Sequence, residues 1–137
     1  MRIELTQLIS RPPKEVFRFI AADHVRNHPR WDPKMELQQL TEGPIGVGTV
    51  IQRRHTHTGR PLEGTMEVVE FVPNRAFGMV IHDGPTEMHS RITFEPQDRN
   101  RTKLIASVDI PSMAEPMDPG PIQQSLRRMK ELIETEQ

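Results

Sequence analysis

His55 and His57 are the residues whose type and spacing are best suited to chemistry. Two apart on what reads as a β-strand, they point to the same face, because successive strand side chains alternate. Such a pair can supply two metal ligands, or a general base beside a partner. A metal site would need more. No third ligand is evident, and the downstream acid, Glu63, stands at the wrong spacing. Ile51 and Arg53 share the histidine face and Val50 lies opposite, so the pair also reads as hydrogen-bonded strand histidines or as polar groups near a pocket mouth. A neutral imidazole with the reference pKa of ~6.5 could serve as a base near neutral pH.

The other candidate groups have plainer readings. His82 and His89 fall on the outer face of their strands and face solvent. His24 and His28 flank a short second helix that Pro29 would restrict, and could approach the mouth. Trp31 packs under a helix–strand corner, with ligand contact as its second role. Asp32 caps or turns the chain before Pro33, and Asp109 sits on an outer face. No nucleophile elbow, phosphate loop or dinucleotide fingerprint is present. Catalysis would therefore draw its acid–base groups from several strands.

The elements that must position these groups follow a simple order. Arg2 to Ile9 alternates like a strand. Pro12 and Pro13 suit the first turn of a helix reaching Ala22, with Val16, Phe17 and Ile20 as its apolar stripe. From Glu36 to Ile110 the pattern has period two, broken by turn signals at Gly43 to Gly48, Thr58-Gly59, Pro73-Asn74, Asp83-Gly84-Pro85 and Asp98 to Arg101. Pro111 to Pro121 holds four prolines with Met113 and Met117, and reads as a loop that could act as a lid. A last helix runs from Pro119 to Glu134, with Ile122, Leu126, Met129 and Ile133 on one stripe. Arg127 with Glu131 and Lys130 with Glu134 are i,i+4 pairs on its wet face.

This is an α+β layout: a curved antiparallel sheet closed by one terminal helix, an arrangement that tends to enclose a cavity. Alternation puts Met66 and Val68, then Phe77, Met79 and Ile81, then Met88, Ser90, Ile92 and Phe94 toward the helix. Leu126 and Met129 from the helix and Met113 or Met117 from the loop would complete a methionine-rich lining. Methionine adapts its shape, which suits flexible apolar ligands, although the same residues could simply fill a core.

Composition narrows the function. At 137 residues the chain reads as one domain, 1–137. Its formal charge of −1, absence of tyrosine and single tryptophan give no case for nucleic acid. No apolar run approaches the ~20 residues of a membrane span. The lack of cysteine and of an N-terminal apolar segment favours a cytoplasmic protein. No metal or cofactor is called for.

Pro13 to Ile20 (PKEVFRFI), Trp31-Asp32-Pro33, Gly43 to Thr49 (GPIGVGT), Gly64 to Arg75 (GTMEVVEFVPNR) and Ile92 to Pro96 (ITFEP) form an ordered series. The series resembles the SRPBCC superfamily, the START and birch-pollen-allergen-like helix-grip fold, and most of all its small bacterial polyketide cyclase/dehydrase and lipid-transport subgroup. The resemblance implies a seven-stranded antiparallel sheet wrapped around the C-terminal helix, two short helices after the first strand, and a deep apolar cavity. It implies no single reaction, since members bind lipids, hormones or polyketides and some catalyse cyclisation or dehydration. The expected function is binding of a small, mainly apolar molecule, polyketide- or lipid-like. The alternatives are a cyclase or dehydratase with His55 or His57 as general base, and a partner-binding module like the chaperone-associated members, which would show a filled core and an exposed apolar patch.

Overall fold

A computed structural model describes residues 1–136. Strand β1 (Arg2–Ile9) is followed by helix α1 (Pro13–Phe17), a π-helical turn (Arg18–Ala22) and helix α2 (His24–Trp31). Six strands come next: β2 (Met35–Gln39), β3 (Val50–His55), β4 (Leu62–Val72), β5 (Ala76–Asp83), β6 (Thr86–Asp98) and β7 (Arg101–Asp109). Helix α3 (Gly120–Thr135) closes the chain. The curved sheet is antiparallel throughout, in the order β1-β7-β6-β5-β4-β3-β2. It is the helix-grip α+β architecture that the sequence implies.

Departures from the expected elements have local causes. The first helix is divided, because the chain buries Phe19, Ile20 and Ala21 in succession and does so through a wider π turn. Pro29 falls inside α2 without ending it, and the helix continues to Trp31. Strand β3 ends at His55, so His57 lies in the following turn, not on the strand. Strands β6 and β7 begin two residues earlier than their apolar alternation suggests, since polar residues near the turns still pair. On α3 Lys130 bonds Glu134 at 2.5 Å, while Arg127 and Glu131 form no ion pair.

A bulge in β4 sets the inward face of its second half. Val68 pairs with Met79 and Glu70 with Gly78, so Val69 is the extra residue. Strict alternation would turn Phe71 outward; after the bulge it faces inward, opposite Phe77. There Phe71 and Phe94 each meet the Phe17 ring edge-on at 5.1 Å, anchoring α1 to the sheet. On the outer face Gly78 lies between Glu70 and Arg91 in the ladder, and the two form a bidentate pair across it at 2.7 and 3.1 Å.

One helix has to cover a wide sheet. Sixteen helical residues make a rod about 24 Å long and ~10 Å wide, against seven strands spanning roughly 29 Å. The cover is uneven. Where α3 ends, its Glu134 carboxylate accepts the Ser10 N–H at 2.8 Å, and Ile9, Leu104, Phe94, Phe77 and Ile133 are all buried. Toward the opposite end, where α3 begins, Ile3, Leu5, Met88, Ser90, Val108 and Ile110 are only half-buried, as are Ile122, Met113 and Met117 above them.

Truncating Phe94 should show how far the closed end holds the fold. Its side chain is 2% exposed, so Phe94→Ala is expected to cost about 3–5 kcal/mol in urea unfolding, with an unchanged denaturant slope.

Candidate functional site

The inner face of β3 turns polar as it reaches the open end. Ile51, Arg53 and His55 alternate inward and all three are buried. Arg53 faces Gly64 across the β3/β4 ladder, and Gly64 faces Asp83 across β4/β5. Two strand spacings, about 9.6 Å, would ordinarily separate the outer members of such a row. Here the Asp83 carboxylate crosses the gap. Oδ1 lies 3.1 Å from Arg53 Nε, and Oδ2 lies 3.0 Å from His55 Nε2. Glycine makes the crossing possible: a Cβ at position 64 would sit 2.3 Å from Asp83 Oδ1 and 2.1 Å from the His82 carbonyl oxygen.

This arrangement fixes His55. Its Nδ1 accepts the His57 backbone N–H at 3.3 Å, which leaves Nε2 as the proton-bearing nitrogen that donates to Asp83. Both ring nitrogens are engaged, so His55 orients Asp83 and is not free to act as a base. Arg53 is less complete. Its Nε is close to Asp83 Oδ1 without hydrogen-bond alignment, and Nη1 reaches only the Met66 thioether, at 3.8 Å. Burial makes its charged form costly and lowers its pKa from the ordinary arginine value, with Asp83 and then Asp32 opposing that.

The β3/β4 turn brings His57 to the same end, where it meets Asp32, and helix α2 carries Trp31, His28 and His24 from there toward Phe77. His57 Nε2 lies 2.7 Å from Asp32 Oδ2, and its ring is 5.2 Å from that of His55. The two rings are thus neighbours although His57 has left the strand, with His55 buried and His57 exposed. Asp32 also turns the chain, accepting the Lys34 and Met35 backbone N–H groups through its side-chain and main-chain oxygens. His24 donates from Nδ1 to the Ile20 carbonyl at 2.8 Å, and His28 donates from Nδ1 to His24 Nε2 at 2.9 Å. Trp31, buried, stacks on His28 and meets His24 edge-on. Desolvation lowers the His24 pKa to about 4 and holds His28 well below its usual value, the latter aided by the nearby His24, Arg53 and His57.

Of the residues expected to line a cavity, Met66, Val68, Phe77, Met79, Ile81, Ile92, Phe94, Leu126 and Met129 are buried in the core. Met88, Ser90, Met113 and Met117 lie at the half-covered end, and His82 and His89 are exposed, sharing Glu87 on the outer face. The surface clefts lie elsewhere. One of about 750 Å³ runs between α1, α2 and the end of α3 and carries mixed charge from Arg11, Arg18, Arg26 and Arg30 against Glu15, Asp23 and Glu136. A cleft of about 230 Å³ between β1 and α3 touches Leu126, and one of about 260 Å³ lies over β2, β3 and β4. Sequence reasoning placed Arg53 on the correct face without a role and read Asp83 only as a turn residue. The one local signal was Gly64, an inward glycine in a strand, which marks a close approach of neighbouring groups. Among the described residues no three His, Asp or Glu side chains are placed to hold a metal ion, and no helix is long and apolar enough to cross a membrane.

A curved seven-stranded antiparallel sheet gripping one long C-terminal helix, with two short helices after the first strand, defines the helix-grip class. Within it the chain belongs to the family described as polyketide cyclase / dehydrase and lipid transport, whose model matches residues 1–134. Solved structures share the fold at low identity. The Zhui aromatase/cyclase from a Streptomyces species is 16% identical, with 98% of this chain and 93% of that one covered and a TM-score of 0.79. Norcoclaurine synthase from Thalictrum flavum, in complex with dopamine and hydroxybenzaldehyde, is 14% identical, covering 100% and 88%, with a TM-score of 0.77. A protein from Chromobacterium violaceum is 20% identical over 98% of both chains, with a TM-score of 0.76. No curated protein matches the chain in sequence.

Two outcomes are expected from this geometry. Gly64→Ala should destabilise by about 1–3 kcal/mol, as overpacking does, and should part Asp83 from Arg53, visible as a shift of the Arg53 side-chain NMR signal. His24 and His28 stay neutral in the folded state while the unfolded chain takes up protons below pH ~6.5. Stability should therefore fall as pH drops from about 6.5 toward 4, by roughly 1 kcal/mol per pH unit from His24, with His28 acting in the same direction. Urea midpoints at several pH values would show this, and His24→Gln should flatten the slope.

Proposed function

We propose that this protein binds a small, mainly apolar molecule, polyketide- or lipid-like, between the inner face of the sheet and the N-terminal half of α3. The observation that carries this reading is the uneven cover of that face: inward apolar side chains at the α3-initiating end, such as Met88, Val108 and Ile110, are half-buried. Each square ångström of apolar surface left wet forgoes roughly 25 cal/mol, which a ligand lying there recovers. The methionines at that end, Met88, Met113 and Met117, can reshape around different ligands. His55, His57 and Ser90 stand toward the same end as polar contacts, with Trp31 buried against His24 and His28 on the α2 side, while Met66, Val68, Met79, Ile81, Leu126 and Met129 form the wall behind. The family's description and the aromatase/cyclase likeness support this choice of ligand class. The reading needs no cofactor and no nucleic-acid partner, and the cysteine-free chain fits a cytoplasmic setting.

A second reading, a cyclase or dehydratase acting on such a ligand, is favoured by one observation. His57 is held through Nε2 by Asp32, and among the described residues its Nδ1 has no partner. It could take a proton from carbon beside a ligand ketone, leaving an enolate, with Asp32 steadying the imidazolium that forms. His57→Gln should then abolish turnover while leaving ligand affinity within about twofold.

Native mass spectrometry followed by denaturing extraction should release a retained apolar molecule. In solution, the neutral fluorophore N-phenyl-1-naphthylamine should bind with blue-shifted emission. Ser90→Phe, which fills the half-covered end, should weaken it by about tenfold, the worth of roughly 1.4 kcal/mol, with little change in melting temperature. Unchanged affinity in that variant would move the site elsewhere. A partner-binding module would instead bind no fluorophore.

A further inference from the structure

The guanidinium of Arg53 is a buried cation short of hydrogen-bond acceptors, not of charge. Its side chain is 9% exposed, so solvent reaches little of it. Arginine presents five N–H donors in a fixed planar fork. Among the described residues its one hydrogen-bond acceptor is the Met66 thioether, at 3.8 Å, and sulfur is a weak acceptor. The Asp83 carboxylate lies 3.1 Å away on the Nε side, where it balances the charge but lacks hydrogen-bond alignment. The Nε donor is the buried one without an aligned acceptor and faces Asp83, whereas Nη2 has no acceptor among the described residues and keeps some accessible surface, so a ligand oxygen can reach it.

The direction of the fork matters as much as its vacancy. Asp83 and the His55 that holds it occupy the Nε side. The contact with Met66 sets Nη1 over the inner face of the sheet, and Met66 is paired with Ile81, which in turn is paired with Met88. That row leads from the buried wall to the half-covered end. Donors on one side and an apolar row on the other make the place for a mainly apolar molecule with a single oxygen acceptor.

The local charge decides which oxygen. Asp83 already compensates Arg53, and Asp32 stands close enough to act on the same guanidinium. A ligand carboxylate would add a third negative charge beside these two. An uncharged carbonyl supplies the missing acceptor without that repulsion. We propose that Arg53 is the polar anchor of the ligand site and takes the uncharged carbonyl oxygen of an otherwise apolar ketone or ester. The assignment rests on the binding reading above and deepens it by naming the ligand class.

Three naphthalenes of nearly equal shape separate the possibilities: 2-acetonaphthone, 2-ethylnaphthalene and 2-naphthoate, each titrated against bound N-phenyl-1-naphthylamine. The ketone should bind about tenfold tighter than the hydrocarbon, as suits a hydrogen bond from a charged donor, although it is the less hydrophobic of the two. The ketone should also bind tighter than the acid. In Arg53→Met the ketone and hydrocarbon should bind alike. Should that variant fail to fold, the wild-type arginine side-chain ¹⁵N signals give a second reading: the Arg53 resonance should move with the ketone and stay still with the hydrocarbon. Tighter binding of the naphthoate would overturn the inference in favour of an anion anchor. Equal affinities with an unmoved Arg53 signal would remove the anchor and leave apolar binding intact. If no probe binds, the binding reading itself falls, and this inference with it.

Discussion

A single helix set against a seven-stranded sheet cannot hide the whole inner face, and much of the structure can be read as a response to that shortfall. Curvature brings the edge strands toward α3. The short helices after β1 cover part of the remainder, α1 through the Phe17 ring and α2 through Trp31. The β4 bulge turns Phe71 inward to meet them. All of these devices act at the end where α3 terminates or along the α2 side. At the end where α3 begins, the cover comes from Ile122 and a proline-rich loop with two methionines. Stability is concentrated at one end and accessibility at the other, a division common in proteins whose working parts come from the less stable regions.

The buried charges fit the same division. An isolated arginine in an apolar interior is very costly, and a buried pair recovers that cost only with good geometry. Arg53 and Asp83 stand on strands that are not neighbours, and their contact depends on the one residue between them having no side chain. His55 then spends both nitrogens holding the carboxylate. Such a cluster is a poor source of stability compared with apolar packing. Its geometry is fixed, however, and fixed polar groups are what orientation of a ligand requires.

Much of this was legible in the chain. The inward set from Phe77 to Phe94 could be read from alternation alone, because a half-buried strand imposes period two on its residues. The α3 stripe was equally plain. What alternation could not supply was anything that depends on register between strands. Asp83 sits in an Asp-Gly-Pro sequence and so reads as a turn; only its pairing with Gly64 and Thr86 reveals it as the inward end of β5. Glu70 and Phe71 exchange faces because of a bulge that leaves no trace in local composition. His55 and His57 looked equivalent by spacing, yet the strand ends between them, and one became a buried tether while the other stayed open to solvent.

The glycine bridge occurs twice, once on each face of the sheet. Arg53 and Asp83 meet across Gly64 on the inner side, and Glu70 and Arg91 meet across Gly78 on the outer side. In each, three residues on three consecutive strands form one unit, and none of them is a sequence neighbour of another. In the buried triplet, replacing either charge strands its partner and a side chain at position 64 would collide with the Asp83 carboxylate; in the exposed one, a side chain at position 78 would press on Glu70 at 3.1 Å. Each triplet is thus expected to be inherited or lost as a whole, leaving a correlated signature between distant positions that pairwise contact between adjacent strands would not predict.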